Sequence, residues 1–121
     1  MIVAGFGFRE AATGDSLLAA LAAAAAGKVD AVAAPEDKCG SDVFMAFARD
    51  LNVPVISVAA TDMRRAQTLT QSELVLKKRG TGSVAEAVAL AAAGTGAELT
   101  GPRAVSPDRM ATCAIAVGEK T

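Results

Sequence analysis

Three short apolar runs, Ile2-Val3-Ala4, Val29 to Ala33 and Val55-Ile56-Ser57-Val58, lie one helix length apart, and this spacing constrains the fold more than any other feature of the chain. In the first interval Leu17, Leu21 and Ala24 recur at i, i+4 and i+7, which places them on one face of a helix, and Gly27 ends it. In the second interval Phe44, Phe47 and Leu51 share a face. That helix stops before Pro54, because the residue preceding a proline disfavours the α region. Strands joined through helical crossovers are parallel, and such crossovers are right-handed. The first half therefore reads βαβαβ, an α/β fold with helices packed on the sheet.

Beyond Val58, Thr61 can cap a short helix running to about Ala66, Leu74-Val75-Leu76 can form a strand, and Ser83 to Ala93 reads as a helix. Gly94, Gly96, Gly101, Pro102 and Pro107 punctuate the next segment, leaving Ala97-Glu98-Leu99 or Ala104-Val105 as short edge strands. The apolar run Thr112 to Val117 reads as a last strand, antiparallel to a neighbour. No repeat, linker or charged tail interrupts the 121 residues, so residues 1–121 are expected to form one domain. Much of the 52% hydrophobic content is alanine, which predicts a thin, tightly packed core.

Inventory removes several classes of function. With four Phe, no Trp or Tyr and a formal charge of -1, the chain has neither the stacking surfaces nor the basic footprint of a nucleic-acid binder. It contains no histidine, which excludes a His-based triad, and Cys39 and Cys113 are isolated, so no metal site and no cofactor are expected and both thiols read as reduced. The N-terminus lacks a basic n-region, and Ala22 to Ala26 is too short and too weakly apolar to span a bilayer. A cytoplasmic protein without a membrane anchor is the expectation.

In an open α/β sheet, ligands bind beyond the carboxyl ends of the strands, where helix N-termini point outward. Gly5-Phe6-Gly7-Phe8-Arg9 reads as a loop at that edge: Gly5 and Gly7 would let the backbone approach an anion, and Arg9 offers a planar fork for carboxylate or phosphate. It departs from the dinucleotide fingerprint because Glu10 stands at the position of the third glycine, which argues against a nucleotide-binding module. The alternative is two glycines making a tight turn, with Phe6 and Phe8 belonging to the core. Gly80-Thr81-Gly82-Ser83 is a second candidate anion nest, with Glu86 placed to accept a proton or hydrogen bond. Ser83-Val84-Ala85-Glu86 is equally a capping box, in which Ser83 and Glu86 bond reciprocally and stabilise their helix by about 1 kcal/mol. Lys38, after the second strand, would face the same edge.

Taken together, Gly5-x-Gly7-x-Arg9, Lys38, Gln71-Ser72 before Val75, GTGSVAEAVAL from Gly80 to Leu90 and Thr112-Cys113-Ala114-Ile115-Ala116 resemble one family over about residues 2–117. It is the CobE family of cobalamin biosynthesis, equivalent to the C-terminal domain of CbiG, the cobalt-precorrin 5A hydrolase. The resemblance implies a three-layer αβα sandwich with a mostly parallel mixed sheet, and a part in making the corrin ring. Where the family usually has Glu three residues after the lysine, this chain has Ser41, with Asp42 beside it.

Two functions are open to such a chain. In the first, it binds a polycarboxylate corrinoid or precorrin through Gly5, Phe6, Gly7, Arg9, Lys38, Gly80, Thr81, Gly82 and Ser83, holding it for the other enzymes of the pathway. In the second, Glu86 or Asp42 activates water to open the ring-A lactone of a precorrin with release of acetaldehyde, while Arg9 or Lys38 stabilises the oxyanion. In CbiG-like proteins the lactone-opening activity belongs to a longer chain with further N-terminal sequence, which is expected to be missing here.

Overall fold

The computed structural model describes residues 1–24, 28–65, 83–94 and 96–118. Its elements, in chain order, are β1 (Ile2–Phe8), α1 (Gly14–Ala24), β2 (Ala31–Pro35), α2 (Asp42–Leu51), β3 (Val55–Val58), α3 (Ala60–Arg65), α4 (Val84–Ala93), β4 (Glu98–Leu99), β5 (Ala104–Val105) and β6 (Ala111–Val117). Among the described residues the strands form one sheet in the order β3-β2-β1-β6-β4, with β5 also paired to β6. The pairs β1/β2 and β2/β3 are parallel, as the crossover intervals require. β6 runs antiparallel to β1 over its whole length, Ile2 opposite Val117 and Phe8 opposite Ala111, and both short segments pair with its other side. The expected strand at residues 74–76 lies outside the described residues.

Side chains alternate across each strand, and the two faces bury different material. Ala4, Phe6, Val32, Ala34, Cys113 and Ile115 meet Leu17 and Ala20 of α1 and Phe44, Phe47 and Ala48 of α2. Phe6 sits edge-on to both Phe44 and Phe47, with ring centroids 5.8 and 5.2 Å away. On the opposite face Val3, Ala33 and Val58 pack with Met63, Ala87 and Val88, while Ala114 and Ala116 pack with Ala85 and Ala89. The result is the three-layer αβα arrangement, with α1 and α2 in one layer and α3 and α4 in the other.

Local chemistry sets the helix ends. Thr13 caps α1: its hydroxyl accepts from the Ser16 N–H while its own N–H donates to the Ser16 hydroxyl, a reciprocal cap that closes both orphan donors. Ser41 caps α2 by accepting from the Phe44 N–H. At the other end Asn52 takes a left-handed conformation (φ 58°), and the N–H groups of Asn52 and Val53 donate to the carbonyls of Arg49 and Ala48. Asparagine tolerates this region better than residues without a short polar side chain. Asn52→Ala is accordingly expected to lower stability by about 1 kcal/mol, read as a shift of the urea midpoint at unchanged slope.

Candidate functional site

Gly5, Phe6 and Gly7, expected in a binding loop, are strand residues. β1 continues through all three to Phe8, so the first loop begins only at Arg9. Gly5 is buried under α4, where a Cβ would overlap the Ala85 carbonyl oxygen and stand 2.5 Å from the Ala89 nitrogen. It is a packing glycine that lets α4 lie directly on the sheet. Gly7 is also tight, its carbonyl accepting from the Thr112 hydroxyl at 3.2 Å. Phe6 has no exposed surface and belongs to the core. Gly5 and Phe6 are buried, and Gly7 keeps partial exposure near the end of β1.

The rest of the first cluster lies at the carboxyl edge of β1. Phe8 is half-buried and stacks on Phe44, ring centroids 5.4 Å apart and planes 17° from parallel. The turn after β2 brings Lys38 over the Phe8 ring, its ammonium 5.4 Å from the centroid. Lys38 is placed by its backbone as well, since its N–H donates to the Pro35 carbonyl. Arg9 comes directly after Phe8 and is exposed, with its N–H donated to the Met110 carbonyl at 2.8 Å. The edge thus joins Phe8, Arg9 and Lys38 from the ends of two neighbouring strands. Glu10, Glu36, Asp37 and Asp42 also lie along it or in the adjoining turns. Its field is therefore mixed, with cationic and anionic side chains side by side.

Ser83 is fully buried and caps α4, accepting from the Glu86 N–H. Glu86 is fully buried too, and one carboxyl oxygen accepts from the Arg103 N–H at 2.9 Å, so α4 is fastened to the segment entering β5. Gly80, Thr81 and Gly82 lie outside the described residues. Asp42 is exposed on the first turn of α2, beside the capping Ser41. The buried Cys113 thiol faces the α1/α2 layer, and desolvation raises its pKa, which keeps it protonated.

One group at this edge escaped the sequence reading. Asp108, in the turn between β5 and β6, accepts from the hydroxyls of Ser106 at 2.5 Å and Ser16 at 2.6 Å and from the Met110 N–H at 3.1 Å. Those donors, Ser106 foremost, then Ser16, hold its carboxyl below the usual value of 3.8. A depressed folded pKa means that the contribution to stability is complete above the unfolded value and is lost as pH falls through the folded one. The stability advantage of the native protein over Asp108→Asn is therefore expected to be constant above about pH 5 and to shrink as the medium is acidified below the ordinary carboxylate range, measured by chemical unfolding across pH. A serine-aspartate pairing 92 residues apart leaves no local pattern, although Ser106-Pro107-Asp108 is a recognisable turn composition.

A family model described as "Cobalamin synthesis G C-terminus" matches residues 2–116. Among solved structures the chain is similar to CobE, a protein from the cobalamin (vitamin B12) biosynthetic pathway, with 29% identity and a TM-score of 0.81 over 99% of this chain and 93% of that one. It is also similar to the cobalamin biosynthesis protein chiG from Agrobacterium tumefaciens str. C58, with 31% identity and a TM-score of 0.75 over 99% of this chain and 100% of that one. A search of curated proteins finds no match. Among the described residues no helix is long and apolar enough to cross a membrane.

Proposed function

The chain belongs to the family of the cobalamin synthesis G C-terminus, and from that premise we propose that it serves cobalamin biosynthesis by binding a polycarboxylate corrinoid or precorrin at the carboxyl edge of its sheet. The observation that carries the reading is the column of Lys38, Phe8 and Phe44 with Arg9 alongside. A corrin is a wide apolar ring fringed with carboxylates. A surface that fits it needs a flat apolar contact next to cations that can reach the rim. Phe8, half-buried at the strand end, supplies apolar surface beside the cations, and Arg9 and Lys38 supply the cations. Without histidine in the chain, imidazole ligation of a central cobalt is impossible, so recognition works through the periphery.

The lactone hydrolase is less well supported. It needs a carboxylate that reaches substrate and water, and Glu86 has no exposed surface and is engaged with Arg103. Asp42 is accessible, but it stands on the open surface of the first turn of α2.

The test is titration of the protein with hydrogenobyrinic acid, a metal-free corrin polycarboxylic acid, monitored through the visible spectrum of the ligand. Saturable binding at micromolar concentration is expected. Lys38→Ala and Arg9→Ala should each weaken it about tenfold, the scale of one charge-assisted contact, and raised salt should weaken it further. Absence of saturable binding by the native protein at micromolar concentration would sink the reading.

A further inference from the structure

The turn joining β5 to β6 puts an arginine where a hairpin ordinarily has glycine. The Ser106 carbonyl accepts from the Arg109 N–H at 2.8 Å, closing a four-residue turn, and Arg109 takes φ 62°. Glycine fills that left-handed position without strain, whereas an arginine is held there against its own preference. The holding group is Asp108. One carboxylate oxygen accepts from the Ser106 hydroxyl and the Met110 N–H, on either side of Arg109, and the other accepts from the Ser16 hydroxyl on the first turn of α1. Ser16 is itself fixed by its reciprocal bonds with Thr13.

The clasped turn has a defined place. The Met110 carbonyl accepts from the Arg9 N–H, so the residue after Arg109 is latched to the residue that carries the other arginine. Among the described residues neither guanidinium makes a hydrogen bond or ion pair within the protein. The Arg9–Met110 bond brings the two arginines to the ends of neighbouring strands, and a strained backbone that displays an uncommitted side chain is characteristic of a ligand site.

We propose that Asp108 is a positioning residue that holds Arg109 beside Arg9, so that the two arginines together receive the carboxylate side chains of a polyanionic ligand at the carboxyl edge of β1. The inference rests on the binding reading above and adds its specificity element. Two planar forks at the ends of neighbouring strands suit adjacent carboxylates better than a single lysine does.

The experiment uses hydrogenobyrinic acid with Arg109→Gly, Asp108→Ala and the double variant. Arg109→Gly relieves the left-handed strain, so it should unfold at a higher temperature than the native protein while binding about tenfold more weakly. Asp108→Ala should weaken binding by a similar factor, and the double variant should bind no more weakly than Arg109→Gly alone, because Asp108 acts through Arg109. Where Asp108→Ala does not fold, Asp108→Asn carries the same comparison. Native affinity in Arg109→Gly, with the native protein binding normally, overturns the arginine pair and leaves the binding reading intact. Equal weakening by Asp108→Ala with and without Arg109 overturns the positioning role. No binding by the native protein removes the reading on which both depend.

Discussion

Gly5→Ala is expected to destabilise the protein by about 3 kcal/mol or more, and Gly5→Val to prevent folding. In most strands the first change would help slightly, because alanine has less conformational freedom to lose on folding. Here the new Cβ overlaps the Ala85 carbonyl oxygen and meets the Ala89 nitrogen at 2.5 Å. Both are backbone atoms of α4, so no rotamer change relieves the overlap and the whole helix must lift from the sheet. The lift would loosen Ala87 and Val88 from Val3 and Ala33, and Ala85 and Ala89 from Ala114 and Ala116. Urea unfolding monitored by far-ultraviolet circular dichroism provides the measurement. A midpoint within error of the native value would mean that α4 does not seat on β1 as described. Had Gly5 been part of an anion-binding loop, its replacement would have spared stability and reduced affinity for the corrin acid, so the same variant separates the two roles.

The misplacement of that loop shows what the sequence can and cannot display. Gly-Phe-Gly-Phe reads as a turn because glycine punctuates chains, yet the period of two was already present: Ala4, Phe6 and Phe8 point to the α1/α2 layer, and Val3, Gly5 and Gly7 to the other. The small residues answer the close approach of an alanine-rich helix, a contact between residues 5 and 85–89 that no local window contains. β2 is displaced in the same direction, to Ala31–Pro35 from the expected 29–33. Its proline is tolerated because it occupies the last position of the strand, after which Glu36 resumes the pairing by donating to the Val58 carbonyl. The features carried by near neighbours were legible. The crossover helices, the cap at Ser83, the strand at Val55–Val58 and the antiparallel closing strand all stand where periodicity and capping place them. The candidate site was legible only in part. Lys38 and Arg9 were singled out from the sequence, but the approach of Lys38 to Phe8 depends on the pairing of β1 with β2, and Asp108 depends on a contact with Ser16 across the sheet edge.

The position of Glu86 leads to the second large effect. Glu86→Ala is expected to cost about 3 kcal/mol: it removes a fully buried side chain, leaving a cavity, and strands the Arg103 N–H that now donates to the carboxyl oxygen. Glu86→Gln preserves the volume and an oxygen acceptor, so it should lie between the native protein and Glu86→Ala in urea midpoint at similar slope. A reacting base would give the reverse order of consequences, with Glu86→Gln stable but inactive and Glu86→Ala unaffected in stability. A native midpoint for Glu86→Ala would therefore overturn the structural role. The bond also has a reach beyond its own helix, because Arg103 immediately precedes β5, and β5 leads into the turn that carries Asp108 and Arg109. Loss of the Glu86 carboxyl should consequently lower affinity for the corrin acid in the native background and lower it much less in Arg109→Gly, where the residue that the turn displays is already gone.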